Sequence, residues 1–146
     1  MNFNKVRSIA DLKIDIDTHK KNQIKIFNFR YKWLAFYMMQ HQIRILPAKI
    51  KVWRTKKGFH FYVYFIDVNT SAKVRANSNR IITVFMQSIL GSDWLRELRN
   101  FDRILKNEKN WNLLFENKIK KNKPRHESFV ASYTLMKGIF DNKIKY

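Results

Sequence analysis

The chain has 146 residues, with 30 Lys and Arg against 11 Asp and Glu, a formal net charge of +19. That length suits one domain. Hydrophobic residues make up 45%, including four Trp, six Tyr and twelve Phe, which excludes a disordered basic tail as well as collagen, mucin, coiled-coil rod and acidic solvating chains.

Cysteine is absent, so disulfides, thiolate metal sites and Cys nucleophiles are excluded. Lys5, Arg7, Asp11 and Lys13 interrupt the N-terminal segment, so no secretory signal is expected. The longest uncharged runs, from Trp33 to Ile43 and from Ile81 up to Asp93, fall short of the ~20 residues that span a bilayer. A cytoplasmic protein with no membrane partner is the expectation, with a virion as the other setting. Lys, Ile and Asn supply 50 residues, a bias of AT-rich coding that accounts for part of the charge. The layout of the charge adds more. From Thr18 to Ile66 there are eleven Lys and Arg, twelve aromatics and no acid. Cations interleaved with aromatics suit a polyanion with stackable bases.

Asp11–Asp17 alternates as DLKIDID, which predicts a strand with Leu12, Ile14 and Ile16 on one face. Thr18–Asn22 is a polar break. Gln23–Phe29 alternates again around Ile24 and Ile26, and Arg30–His41 is apolar almost all round, as a buried helix would be. Ile43–Arg54 reads as a strand bent at Pro47, with Ile50 and Val52 facing one way and Lys49, Lys51 and Trp53 the other. Thr55–Gly58 is a hairpin turn in which Gly58 is expected to supply a positive φ, and Phe59–Ile66 is the returning strand. Asp67–Lys73 is a loop. A helix is expected from about Ser78 to Leu90 with Ile81, Ile82, Phe85 and Ile89 inward, stopped by Gly91. Ser92 is placed to cap the next helix, Asp93 to about Lys106, whose stripe is Trp94, Leu98, Phe101 and Leu105. Asn110–Lys118 reads as a strand with Trp111, Leu113 and Phe115 on one face, and Ile119–Glu127 as a basic loop. Ser128 could cap a last helix, to about residue 141, carrying Phe129, Tyr133, Met136 and Phe140.

The resulting order, βαββαβ, predicts an α+β domain: an antiparallel sheet of ferredoxin-like or RNA-recognition type, with helices on one face and the other face free for a ligand. Its core would span about 11–118.

Two acids at i and i+2, Asp15 and Asp17, share a strand face and could hold Mg²⁺ or Mn²⁺. Solvated acids pairing with Lys13, His19 or Lys20 are the plainer explanation. On the strand after Gly58, Phe59, Phe61, Val63 and Phe65 share one face and His60, Tyr62 and Tyr64 the other.

Asp15-Ile16-Asp17 followed by Gly58-Phe59-His60 resembles the archaeo-eukaryotic primase superfamily. That resemblance implies Mg²⁺ or Mn²⁺ on Asp15 and Asp17, phosphate contact by His60, a third acid at Asp102 or Asp67, and a metal-dependent primase-like nucleotidyltransferase, intact or degenerate. Together with the AT-rich bias, it implies a replication protein of a virus or plasmid, working with other replication proteins. Lys57, Gly58, Phe59, Phe61 and Tyr64 also resemble the RNA-recognition octamer, which differs at His60 and Tyr62. That resemblance implies a non-catalytic binding module with Phe59 and Phe61 outward, stacking bases. The two readings put opposite faces of one strand in solvent. Tyr133 and Lys137, one helical turn apart, weakly resemble the nucleophile helix of replication-initiator endonucleases. A genome-coating protein using charge alone is a further class. On every reading the partner is nucleic acid, single-stranded DNA or RNA, met by Lys49, Lys51, Trp53, Arg54, Lys56, Lys57, Phe59, Phe61, Tyr62 and Tyr64.

Overall fold

The computed structural model describes residues 10–40, 48–65, 79–114, 118–120, 123–125 and 128–135. The elements are β1 (Leu12–Ile16), α1 (Gln23–Gln40), β2 (Ala48–Arg54), β3 (Phe59–Phe65), α2 (Arg80–Ile89), α3 (Trp94–Leu105), β4 (Lys118–Lys120), β5 (Lys123–Arg125) and β6 (Ser128–Leu135). Strands β1, β3, β2 and β6, in that order, form an antiparallel sheet, and β4 and β5 a separate small hairpin. The α+β class with an antiparallel sheet is as expected. β3 lies between β1 and β2, as a split βαβ unit requires. The last strand, however, joins the β2 edge and leaves β1 at the other edge.

One face of the sheet is the main core. Leu12, Ile14, Ile16, Ala48, Ile50, Val52, Phe61, Val63 and Phe65 meet Phe27, Tyr31, Leu34 and Ala35 of α1, with Met86 and Leu90 at the end of α2. Phe27 stacks on Phe61 with centroids 4.3 Å apart. Burial of each such side chain stabilises by roughly 1.5–3 kcal/mol. Tyr31 is buried there too; its hydroxyl finds no hydrogen-bond partner among the described residues. Burial, and behind it the Asp11 carboxylate, push its phenol above the usual range.

Gln23–Phe29 is the start of α1 and not an extended segment. Ile24, Phe27, Tyr31 and Leu34 recur at helical spacing on the covered side. α1 is not buried all round either: Phe29, Trp33, Phe36 and Tyr37 face solvent. Ser128–Leu135 is a strand, not a helix. β-branched and aromatic residues suit it, and β2 offers an unpaired edge that a strand can fill and a helix cannot. Ala131 and Tyr133 line up with Val52 and Ile50, and the Tyr133 hydroxyl donates to Asn28 Oδ1 of α1 at 2.6 Å. Residues 110–114 form no strand, and the basic stretch after them holds β4 and β5. Pro47, Ile66, Asp67–Lys73, Phe115, Met136, Lys137 and Phe140 lie outside the described residues.

Gly58 does not adopt a positive φ. It is needed because the end of β1 crosses it: a Cβ there would sit 1.7 Å from the Ile16 carbonyl oxygen. The turn is closed by Thr55 N–H on Gly58 O and Gly58 N–H on Thr55 Oγ1. Gly91 does stop α2, at φ +97°, with Gly91 N–H on Ser88 O and Ser92 N–H on Gln87 O, the paired bonds of a Schellman ending. Asp93, and not Ser92, caps α3 by accepting from Arg96 N–H.

Helices α2 and α3 turn the opposite way from expectation. Ile81, Ile82, Phe85 and Ile89 are exposed, as are Trp94, Leu98 and Leu105, with Phe101 half-buried. Their covered sides carry Thr83, Val84, Met86 and Gln87, and Arg96, Glu97 and Asn100. Those polar groups are drawn inward by the unpaired edge of β1.

Candidate nucleic-acid interface

The second face of the sheet is ordered by register. Asp15, His60, Trp53 and Phe129 form one row across β1, β3, β2 and β6; Lys13, Tyr62, Lys51 and Ser132 form the next; Tyr64, Lys49 and Thr134 follow. At the β1 and β3 side this face is closed. Trp53, Tyr62, Tyr64 and Leu114 make a second core with Ala10 packed against it, and His60 is buried. Trp53 meets Tyr62 edge-on at 5.3 Å and Phe129 edge-on at 5.1 Å.

The strand at 59–65 therefore has no open aromatic face, and both expected assignments of it change. Phe61 is fully buried under α1, and Phe59 is half-buried against the same core, edge-on to His19. Neither presents a free ring for bases. Trp53, Tyr62 and Tyr64 lie under the second core and support the surface without forming it.

At the β2 and β6 side the same face opens. Lys49, Phe129, Ser132 and Thr134 are exposed, and Lys51 is half-buried with its ammonium 5.4 Å from the Tyr64 ring centroid. Partial burial, then the neighbouring Lys49 charge, lower the Lys51 pKa. Around the hairpin turn Arg54, Lys56 and Lys57 are exposed as well. None of these five cations contacts a carboxylate among the described residues. His19 Nε2 lies 2.8 Å from Lys56 O and ties the turn to the segment after β1. Phe129, Ser132 and Thr134 are hard to find from sequence because Phe129 and Tyr133 are also at helical spacing. The alternation of Ala131 and Tyr133 is the signal for Ser132 and Thr134; Phe129 is in phase with the core residues and reaches this face only through the register shift between Val52 and Trp53.

Asp15 and His60 do meet. They are opposed in the register, with Asp15 Oδ1 3.4 Å from His60 Nε2. Asp17 lies one residue past β1 and is exposed. Asp102 stands on the outward side of α3, where it pairs with Lys106 at 2.9 Å. It does not join Asp15 and His60. Asp67 is outside the described residues. Among the described residues no three His, Asp or Glu side chains converge on one point.

Beside Asp15 lies a buried polar cluster that sequence spacing does not reveal. Arg96, Glu97, Asn100, Gln87 and Ser92 come from the α2–α3 corner, and Asn112 from the segment after α3. The Glu97 carboxylate accepts from Gln87 Nε2 at 3.1 and 2.9 Å, from Ser92 Oγ at 2.9 Å and from Arg96 Nη1. Arg96 also donates to Lys13 O at 2.8 Å, Leu113 O at 2.9 Å and Asn112 Oδ1 at 3.0 Å. Lys13 N–H donates to Gln87 Oε1, Asp15 N–H to Ser92 Oγ, and Asp93 N–H to Asp15 O. The outer edge of β1 is thus hydrogen-bonded by side chains and one backbone amide. Burial lowers the Arg96 pKa, opposed by Glu97 and Asp15. Arg96 holds the residue 113–114 segment, so it also positions Leu114 over Tyr62.

Comparison with protein-family models, curated proteins and solved structures gives no match to this chain. Among the described residues no helix is long and apolar enough to cross a membrane.

Proposed function

We propose that the protein binds single-stranded nucleic acid on the open part of the second sheet face and the adjoining hairpin turn. The observation that carries this is the set Lys49, Lys51, Arg54, Lys56 and Lys57, a cationic strip without carboxylate partners among the described residues, beside the exposed Phe129 ring. The cations track the phosphates, Phe129 stacks a base, and Ser132 and Thr134 hydrogen-bond to sugar or phosphate. A phosphate near Lys51 opposes the lowering of its pKa by Lys49. The second core holds the strip in place.

Fluorescence anisotropy of labelled single-stranded DNA and RNA between 50 and 200 mM salt tests this reading. Affinity is expected to fall steeply with salt. Replacing Lys49, Lys51, Lys56 and Lys57 together by Gln is expected to flatten the log–log salt slope by about 0.7 for each phosphate that is no longer neutralised. Phe129→Ala is expected to weaken binding roughly 5- to 150-fold while leaving the slope intact, since stacking contributes about 1–3 kcal/mol per base. Equal slopes for wild type and the four-lysine variant would place the interface elsewhere.

A second reading, primase-like nucleotidyl transfer with Mg²⁺ or Mn²⁺, is favoured by one observation, the meeting of Asp15 and His60 across β1 and β3. It is tested by nucleotide incorporation on a single-stranded template with either metal, beside an Asp15→Ala/Asp17→Ala variant. Binding without transfer predicts no product from either protein and an equal gel shift by both. Product from wild type alone would establish the enzyme and make the two aspartates its metal ligands.

A further inference from the structure

We infer that the outward faces of α2 and α3 form the two-fold interface of a homodimer. Both helices bury polar residues and expose apolar ones. Ile82, Phe85 and Ile89 stand on one helix and Trp94, Leu98 and Leu105 on the next, each about half exposed or more. The two helices pack on each other, so these residues lie on neighbouring elements of one side of the molecule. Apolar side chains exposed in this number on two adjoining helices mark an interaction site. With Ile81 and Leu95 at its margin, the exposed area is on the order of 800 Å², what each partner contributes to a standard interface.

Charge selects the occupant. In a chain of net charge +19, the run from Ile81 to Ser92 carries no charged residue. Phosphates and anionic lipid headgroups need cations, and the α2 face offers none between its ends. Among the described residues, a partner with an acidic rim would find Arg80, Arg99, Arg103 and Lys106 beside this face, of which Arg103 and Lys106 already pair with Glu108 and Asp102 within the chain. A second copy repels this chain over most of its basic surface, but along α2 it meets a seam without charge. Homodimer interfaces are the apolar ones, and a two-fold axis lets one patch cover itself.

Sedimentation equilibrium of the full chain from about 1 to 100 μM is the test, with Phe85→Glu, Leu98→Glu and, as a control on the exposed side of α1, Ile26→Glu. Wild type and Ile26→Glu are expected at twice the 17.8 kDa chain mass. Phe85→Glu and Leu98→Glu are expected to weaken association at least about 100-fold, since the two-fold axis counts each change twice. Unchanged far-ultraviolet circular dichroism confirms that the variants fold, the altered side chains being exposed. Wild type at the chain mass throughout overturns the inference. So does a dimer that persists in both variants. A monomer that floats with anionic vesicles, and loses this with Phe85→Glu, would assign the face to a lipid surface instead.

Discussion

Arg96→Met is expected to lower the unfolding free energy by about 3–5 kcal/mol, the range for removing one partner of a buried ion pair. The loss has three parts. The Glu97 carboxylate, 3% exposed, loses its counter-ion. The carbonyls of Lys13 and Leu113 lose their donor. Leu114 is then less firmly held over Tyr62 in the second core. Chemical denaturation measures the change. Arg96→Met combined with Glu97→Met is expected to be less damaging than the sum of the two single changes, by about 0.5–3 kcal/mol of coupling. Full additivity would show that Arg96 acts on the β1 edge alone and that its pairing with Glu97 contributes nothing. Because Lys49, Lys51 and Phe129 are on the far strands, the salt slope of nucleic-acid binding should survive a change at Arg96 or Glu97 that leaves the protein folded.

Gly58→Ala is expected to destabilise by about 3 kcal/mol, the upper end for inserting atoms into a packed site. The added methyl would sit 1.7 Å from Ile16 O and 2.5 Å from Thr18 N, both backbone atoms, so β1 must move away from the hairpin. The informative comparison is Gly91→Ala. There φ is +97°, which costs a left-handed residue about 1–2 kcal/mol, but the nearest atom is the end of the Arg30 side chain, which can swing aside. Gly58→Ala should be the more damaging of the two although its φ is the ordinary one. It should also weaken nucleic-acid binding in the folded fraction, since Lys56 and Lys57 lie in the same turn. The reverse order of the two stabilities would mean that strain in φ, and not the strand crossing, sets the requirement for glycine.

How legible an element is in the sequence depends on how many partners it has. β1 is legible because Leu12, Ile14 and Ile16 alternate with charged residues over a single buried face. β2 and β3 are legible as a hairpin, but β3 is covered on both faces, and no pattern within FHFYVYF tells which side is covered by what. Residues 23–29 and 128–135 differ from expectation for one reason. In aromatic-rich stretches, residues at i and i+2 coexist with residues at i and i+3 or i+4, and tertiary contacts choose between them. For the first, Phe27 and Tyr31 found the sheet; for the second, β2 supplied a pairing edge. The outward stripes of α2 and α3 cannot be foreseen from amphipathicity, which assumes that the apolar side goes in. At the candidate site, the meeting of Asp15 with His60 follows from hairpin register, and the cations of the turn are plain in the sequence. The cluster around Arg96 is not, because its members are spread from Lys13 to Leu113 and only the fold gathers them.

The side-chain closure of β1 also has a consequence for how this protein behaves when concentrated. An open edge strand is a template: its amides and carbonyls repeat at fixed spacing, and any extended segment in solution can dock on them and seed aggregation. Gln87, Ser92 and Arg96 occupy those groups with atoms that repeat nothing. They finish the edge without offering another strand a register to copy. Growth of the sheet past β1 is blocked by chemistry that a newcomer cannot extend.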